Sequence, residues 1–334
     1  MQIGVLQFFS WPDRRVPLAQ VYERALARID VMDQTGYEAV WLAEHHFTGY
    51  SVCPSVHVMA AHVAARTRNL RIGTAVTLAV LYHPLRIAEE IALLDVLTGG
   101  RVYWGAGRGF ERVEFDAFGV PPAESNERFH EAVEIVLAAW TNERVSFDGR
   151  FHRFTDVEVM PKPLQRPHPP TWVAATSEPA IAWAAGRGLS ILMDPHSPHR
   201  EIARKRELYR TQLEAAGHSF AGRRLPMARL VAVAETDAVA EAVARRGAQW
   251  TAGAYITSEA LKQFAGPDAR APSDPVEHYL RDVVVHGSPE RVLAQLEQLR
   301  EEMFLDYLLL APLSEKSFQL FTERVLPKLA GAAA

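Results

Sequence analysis

The sequence predicts an α/β protein, a (β/α)8 TIM barrel with one insertion before the last helix and strand. Short apolar or β-branched runs alternate with long amphipathic segments along the chain, as in parallel-sheet proteins. The runs are nearly continuously apolar, which is typical of strands buried on both faces. Eight such runs favour a closed barrel over an open sheet, and 334 residues suit one such unit. We therefore expect residues 1–334 to form a single domain.

The first βα unit is predicted from an apolar run and a helical repeat. Residues 3–8 form the run, and in residues 18–35 the apolar positions Val21, Ala25 and Ile29 recur at helical spacing. The glycine that follows this repeat stands where a helix C-cap belongs. The next apolar run is therefore predicted to be a second strand.

The same alternation continues to the end of the chain. The eight strand candidates are residues 3–8, 39–43, 71–75, 102–106, 171–175, 189–193, 229–233 and 306–310. The helix candidates are residues 18–35, 56–65, 85–97, 127–140, 177–186, 198–216, 237–248, 289–302 and 316–328. Residues 145–147 and 151–154, joined across an Asp-Gly pair, predict a hairpin outside this alternation.

Residues 251–286 are predicted to be the insertion, because both periodicities fail there. Gly266, Pro267, Pro272 and Pro275 interrupt any helix that begins in this stretch. The barrel pattern resumes only with the last helix and strand.

Composition excludes several classes of function. Lys and Arg number 36 against 40 Asp and Glu, and a formal net charge of -4 lacks the basic field that binds nucleic acid or anionic membranes. The one cysteine, Cys53, cannot form an intrachain disulfide, and the start MQIGVLQFFS has no basic segment followed by a long apolar run. Apolar stretches are too short to span a bilayer. We expect a cytoplasmic protein with small-molecule partners, no nucleic acid and no membrane.

The second strand candidate runs directly into Glu44, His45 and His46. In a barrel of this kind, functional residues gather at the C-terminal ends of the strands. An imidazole at this position can exchange protons near neutral pH. A packed rim histidine is the alternative, and the strand-end position favours a catalytic role for His45.

The fourth and fifth strand candidates end in residues suited to a phosphate. Gly107, Arg108 and Gly109 combine small residues with a guanidinium that can contact a phosphate through two hydrogen bonds. The stretch after Gly109 is predicted to be irregular as far as Pro122. Ala175, Thr176 and Ser177 then lead into a helix N-terminus, where backbone N–H groups favour an anion. A tight turn and an ordinary N-cap fit the same two spacings equally well.

Two further groups of residues are weaker candidates. Phe8, Trp11, Tyr82 and Trp250 follow strand or helix ends and are predicted to line an apolar substrate pocket, with core or rim packing as the alternative. Cys53 has no motif of a nucleophile.

Asp194, His196 and His199 have side chains that ligate metals. Pro195 and Pro198 indicate a surface loop there, so we expect no metal. The following run of residues 204–206, Arg-Lys-Arg, is predicted to be a solvated helix face.

Residues 40–48, VWLAEHHFT, resemble the histidine-bearing segment of the bacterial luciferase α subunit and its flavin-dependent relatives. Further segments recur in the order found in that family: residues 73–76 with 83–84, 100–101 with 105–109, 183–188, and 287–290. The similarity runs from about residue 1 to 328. The chain is therefore identified as a member of the bacterial luciferase-like flavin-dependent monooxygenase family.

The resemblance implies roles for particular residues. His45 resembles the histidine that the luciferase reaction needs, Arg108 the arginine on the FMN phosphate, and Thr176 with Ser177 the following phosphate-binding pair. A non-prolyl cis peptide is implied between Ala75 and Val76, as a shelf for the flavin.

The chain also departs from the luciferase pattern. Gly107 stands where luciferase has a cysteine, Thr176 replaces a glutamate and Ala180 replaces a threonine. These departures put light emission and a long-chain aldehyde substrate in doubt.

The implied activity is that of a two-component monooxygenase. A separate flavin reductase would supply FMNH2, and O2 would react through a C4a-hydroperoxyflavin to oxygenate a small organic substrate. His45 would act as acid or base, with Glu44 or His46 orienting it. Residues 257–285 are the candidate lid that excludes water, and a homodimer is expected.

Three alternatives stay open. One is an F420-dependent oxidoreductase that transfers hydride without oxygen on the same barrel. Another is a non-catalytic flavin-binding subunit, which would explain the missing cysteine but not the presence of His45 and Arg108. The third is a metal-dependent hydrolase.

Overall fold

A computed structural model describes residues 1–254, 264 and 274–331, and its largest element is one curled sheet whose strand pairings are all parallel. The strands of this sheet are β1 (Gln2–Gln7), β2 (Ala39–Leu42), β3 (Arg71–Thr74), β4 (Thr77–Leu78), β5 (Val102–Gly107), β8 (Thr171–Ala174), β9 (Ser190–Leu192), β10 (Pro226–Val233), β11 (Val285–Gly287) and β12 (Tyr307–Pro312). A separate antiparallel hairpin consists of β6 (Val145–Asp148) and β7 (Arg153–Val157).

The strands follow one another around the curl mostly in chain order. From β1 the order runs through β2, β3, β5, β8 and β9 on one side, and through β12, β10 and β11 on the other. A single bridge joins Met193, which follows β9, to Met227 of β10, so the two sides of the curl meet there. Beyond this bridge, β11 pairs with Val231–Val233 of β10.

Helices lie along the chain between the strands. They are α1 (Leu18–Gln34), α2 (Val56–Arg66), α3 (Pro84–Thr98), α4 (Arg112–Phe118), α5 (Ser125–Thr141), α6 (Glu178–Gly186), α7 (His199–Ala215), α8 (Asp237–Ala254), α9 (Pro275–Asp282), α10 (Pro289–Met303), α11 (Glu315–Leu320) and α12 (Leu326–Gly331). A π-helical turn at Phe321–Val325 joins the last two. In α1 the buried residues are Val21, Ala25, Ile29 and Met32, which is the predicted apolar stripe.

Aromatic side chains from four strands of the sheet pack against one another. The rings of Trp41, Tyr103, Trp172 and Tyr307, from four different strands, contact one another at centroid distances of 5.1–6.3 Å. Gly73 makes room for them, because a Cβ there would lie 2.6 Å from the Trp41 ring.

The predicted α/β class with a parallel sheet is confirmed, and each of the eight strand candidates overlaps an observed strand. The seventh begins three residues earlier than predicted, at Pro226, where β10 pairs with β12. The hairpin is also confirmed, with Phe147 opposite Phe154.

The prediction of irregular chain after Gly109 was wrong, and residues 251–286 contain more regular structure than their sequence indicates. The stretch after Gly109 contains α4, whose helical pattern is hidden because Glu114 and Phe115 are its only buried residues. Within residues 251–286, α9 and β11 are regular elements, and α8 extends to Ala254. Residues 255–263 and 265–273, which include most of the candidate lid at 257–285, lie outside the described residues.

No helix in the described part of the chain has the length and apolar character that crossing a membrane requires.

Candidate active site

The C-terminal ends of β1, β2, β5, β8 and β9 surround a cavity of about 450 Å³. This is the end of a parallel α/β sheet where ligands bind. Apolar walls come from Phe8, Leu78, Val173 and Leu192, and charged and polar side chains, among them Arg108 and His45, also line the cavity. We call the lining around Arg108 the Arg108 end and the lining around His45 the His45 end.

Arg108 defines the first end of the cavity. Its guanidinium is partly buried, and Nη1 donates to the Ser125 hydroxyl at 2.9 Å. Burial lowers the pKa of Arg108 from its usual value. Within residues 1–254, 264 and 274–331, no carboxylate lies at ion-pair distance from it. A cation that faces a cavity without such a partner favours an anionic ligand.

Thr176 and Ser177 line the same end of the cavity, where α6 begins. The Ser177 hydroxyl accepts a hydrogen bond from the Ala180 N–H at 3.4 Å, so Ser177 also acts as the N-cap. The third residue predicted there, Ala175, is buried outside the cavity, whereas its neighbour Ala174 lines it. Thr176 and Ser177 therefore line the same cavity as Arg108, and their role in binding a phosphate stays a prediction.

Three residues at the Arg108 end were missed by the sequence analysis. Asn126 and His130 of α5 and Trp183 of α6 line the cavity. The His130 ring stacks on Trp183 with centroids 4.1 Å apart, and burial lowers the pKa of His130. Their signal was the spacing of four residues between Asn126 and His130, which places both side chains on one helix face.

Gly107, Ala75 and Val76 also form part of the cavity wall. The Ala75–Val76 peptide bond is cis, as predicted. A Cβ at Gly107 would lie 2.2 Å from the Val76 Cγ2 atom, so the local packing leaves no room for a side chain there. Gly109, with a φ of 78°, also lines the cavity.

His45 also lines the cavity, and its imidazole is largely buried. Its Nδ1 is 3.8 Å from Oε1 of Glu114, a buried carboxylate on α4. The same oxygen accepts the backbone N–H of His46 at 2.9 Å. The ring of His45 also meets Tyr50 edge to face, with centroids 5.3 Å apart.

The residues predicted to orient His45 have other partners. Glu44 lines the cavity, but its Oε1 accepts the Tyr82 hydroxyl at 2.8 Å and lies 3.1 Å from Nε2 of His46. Its Oε2 accepts the Leu78 N–H at 3.2 Å. His46 is buried and does not line the cavity. The carboxylate beside the His45 ring is therefore Glu114, which sequence reasoning missed because it lies on an unpredicted helix.

Of the four residues predicted to line the substrate pocket, only Phe8 lines this cavity. Tyr82 is bound to Glu44, and the Trp11 indole N–H donates to the Val16 carbonyl at 2.7 Å. Trp250 stacks on Tyr50 and lines a second, larger cavity of about 860 Å³. Phe8 lines both cavities and so stands between them.

The prediction of a surface loop at residues 194–199 was wrong. Asp194 and His196 are buried and line the cavity. His196 Nδ1 lies 3.1 Å from the Tyr279 hydroxyl, and burial lowers the pKa of His196 to about 4, so this imidazole is neutral at pH 7. Lys205, predicted to be solvated, is buried 3.6 Å from the Asp194 carboxylate.

His199 is also withdrawn from solvent, with Nδ1 3.3 Å from a nitrogen of the buried Arg229. No group of three or more His, Cys, Asp or Glu side chains suited to a metal ion occurs in residues 1–254, 264 and 274–331. The buried charges near residue 194 are therefore part of a packed network of ion pairs and hydrogen bonds.

The fold and the cavity define a class of α/β proteins whose parallel strands end at a cavity, here lined by an arginine and a histidine. The sequence profile described as luciferase-like monooxygenase matches residues 1–306, and the chain belongs to this family.

Individual relatives agree with this assignment. The chain is 40% identical to the uncharacterized protein y4wF of Sinorhizobium fredii over 52% of this chain and 51% of that protein. It is 28% identical to the oxygenase component of the flavin-dependent trigonelline monooxygenase of Acinetobacter baylyi, over 53% of this chain and 49% of that one. The chain thus spans about half the length of the curated relatives it matches.

Among solved structures, the crystal structure of the monooxygenase RslO1 from Streptomyces bottropensis is similar over nearly the whole chain. The TM-score is 0.83 at 28% sequence identity, and the match covers 98% of this chain and 100% of that one.

Proposed function

We propose that this chain is the oxygenase component of a two-component monooxygenase that uses reduced FMN and O2 to oxygenate a small organic substrate. A separate flavin reductase would supply the reduced FMN. The observation that carries this proposal is that Arg108 and His45 line one cavity at the C-terminal ends of the parallel strands. Membership of the luciferase-like monooxygenase family supports it.

The residues of the cavity fit the cofactor on chemical grounds. Arg108 offers a guanidinium without a carboxylate partner in the described part of the chain, and Thr176 and Ser177 line the same cavity. A phosphate there would be held by charge-assisted hydrogen bonds, each contributing about 1.5–3 kcal/mol. Gly107 and Gly109 would allow the backbone to approach a flat ring, which would rest against Ala75 and Val76.

Reduced FMN, when bound, supplies two electrons with which O2 is activated for transfer of one oxygen atom to the substrate. His45 would give or take a proton at an imidazole nitrogen near the reacting atoms. Glu114, 3.8 Å from His45 Nδ1, would hold the ring in place and stabilise its protonated form. Phe8, Phe110 and Phe264 line the cavity and would exclude water.

The assembly around this site is also proposed. The bridge between Met193 and Met227 supports a (β/α)8 barrel into which residues 251–286 are inserted. We further propose that residues 1–334 act as one domain and that the protein is a homodimer, as the family resemblance implies.

Anaerobic titration of the purified protein tests the proposal. We expect reduced FMN to bind more tightly than reduced riboflavin, which has the same ring but no phosphate, because only FMN can engage Arg108. Addition of O2 and a panel of small organic compounds should then give a product with one added oxygen atom, detected by mass spectrometry. Binding of reduced F420 with hydride transfer and no O2 uptake would contradict the proposal. Binding of FMN without any O2 chemistry would support a non-catalytic subunit instead.

A further inference from the structure

Glu111 is a cavity residue that the proposed function does not use. It directly precedes α4, in the N-cap position, with a φ of -73° and a ψ of 120°. Its side chain makes no capping hydrogen bond, unlike those of Ser177 and Asp274, which cap their helices. Glu111 lines the cavity.

The Glu111 carboxyl group has no polar partner among the residues that the structure describes. It is partly buried, and the buried carboxylate of Glu114 is one helical turn away. Withdrawal from water and a neighbouring negative charge both favour the neutral, protonated carboxylic acid. Burial, and after it the charge of Glu114, raise the pKa of Glu111 to about 7.

Other ionisable groups face the same cavity from the elements around Glu111. They are Glu44 and His45 after β2, Arg108 after β5, His130 on α5, and Asp194 and His196 after β9. Of the charged groups around the cavity, Glu114 is the one whose charge shifts the pKa of Glu111. His196 is neutral at pH 7 because of its burial, so it does not oppose the proton on Glu111.

We propose that Glu111 is a second acid–base residue of the cavity, which gives a proton to the oxygen atom that leaves as water. This inference rests on the proposed function. In the balanced reaction the O–O bond breaks, one oxygen atom joins the substrate, and the other becomes water with two electrons and two protons from reduced FMN. The proton lent by the carboxyl group is regained before the next turnover, so Glu111 is unchanged overall.

A titration that does not depend on activity tests whether Glu111 holds this proton. In protein labelled with ¹³C at the glutamate carboxyl carbons, we expect a resonance that titrates near pH 7 and is lost in the Glu111→Gln variant. The matched control Glu143→Gln removes an exposed glutamate and should keep that resonance. If every glutamate resonance that disappears in Glu111→Gln titrates below about pH 5, close to the ordinary glutamate value, the inference is overturned.

The second arm measures product formed per reduced FMN against pH, with a substrate found in the screen. In the wild type, the product formed per reduced FMN should fall as the pH rises through about 7, because the protonated form of Glu111 is the active one. Glu111→Gln should lose this inflection and about 10²-fold or more of the oxygenation rate, the usual contribution of a general acid. Glu111→Asp should restore part of both.

The two proposals fail in different ways. A wild-type protein without affinity for reduced FMN would overturn the proposed function, and the ¹³C titration would still report the proton on Glu111. A Glu111→Gln variant that binds reduced FMN as well as the wild type and keeps its pH profile would overturn only the role of Glu111.

Discussion

The two ends of the cavity are built with opposite charge. At the Arg108 end, a partly buried guanidinium is left without a carboxylate partner among the described residues, beside the N-terminus of α6. At the His45 end, Glu114 lies beside the imidazole, and Glu44 and Glu111 line the same cavity. Among the residues that the structure describes, the cationic partners of Glu44 and Glu114 are histidines. Under the proposed function, the first end would hold the phosphate and the second would move protons. Variants at the two ends should then disrupt binding and chemistry separately.

Removal of His45 is expected to have the largest effect. His45→Ala should lower the rate of oxygenation by about 10²–10⁴-fold, the usual contribution of acid–base catalysis, because its proton carrier is lost. Affinity for reduced FMN should stay within about twofold of the wild type, since the Arg108 end is untouched. Product yield and anaerobic titration measure the two quantities.

The exposed His62 on α2 provides the matched control, and His62→Ala should change neither. An unchanged turnover of His45→Ala would remove this residue from the mechanism.

The neutral His196 should make stability depend on pH. Its pKa in the folded protein is about 4, below the unfolded value near 6.5, so folding favours the neutral form. This contribution is present above pH 6.5 and is lost as the pH falls towards 4, and for one group it amounts to about 3 kcal/mol at most. His196→Gln should therefore flatten the decline of Tm with acid.

The pKa of His199 is lowered to about 3, so this residue also stabilises the folded state less as the pH falls. Some decline of Tm with acid should therefore persist in His196→Gln. His62→Gln should keep the wild-type profile. Parallel Tm curves for wild type and His196→Gln would show that His196 does not titrate in this range.

Arg108→Ala tests the other end of the cavity. We expect a loss of about 1.5–3 kcal/mol of binding free energy for reduced FMN, or about 10–100-fold in Kd, because charge-assisted hydrogen bonds to the phosphate disappear. Affinity for reduced riboflavin should not change. Arg112→Ala removes an exposed arginine that is paired with Asp116 and should have no effect. An equal loss for both ligands would place the phosphate elsewhere.

Gly107→Ala should have the smallest effect of these variants, because it changes the cavity wall and removes no charged or proton-carrying group. A Cβ 2.2 Å from Val76 Cγ2 forces the wall to move, at a cost of about 1–3 kcal/mol in the free energy of unfolding. Gly186→Ala, where a Cβ meets nothing within 4 Å, is the matched control. Thermal unfolding should show a lower Tm for the first variant alone. Equal Tm values would mean that Val76 yields without cost.

Residues at the ends of the predicted strands were found from the sequence. His45 and Arg108 follow β2 and β5, and continuous apolar runs mark those strands because both faces are buried. The direction of a parallel sheet then brings the ends of its strands to one side. The cis bond after Ala75 was expected from the family resemblance alone.

Residues on helices and loops were harder to predict. Glu114, His196 and Lys205 are buried. Stretches of charged or polar residues in a sequence are, however, typical of a solvated surface. Their burial depends on partners far along the chain: His196 lies beside Tyr279, and Glu114 beside His45 and His46. Sequence spacing carries no information on such distant contacts.

The sequence by itself determined the α/β class, the order of the main strands and the residues that follow them, because hydrophobic periodicity is a local property of the chain. Only the tertiary structure decided which polar side chains face the cavity and which of them are charged at neutral pH. The physical reason is that the pKa of a group such as Glu111 depends on its burial and on neighbouring charges, and folding alone sets both.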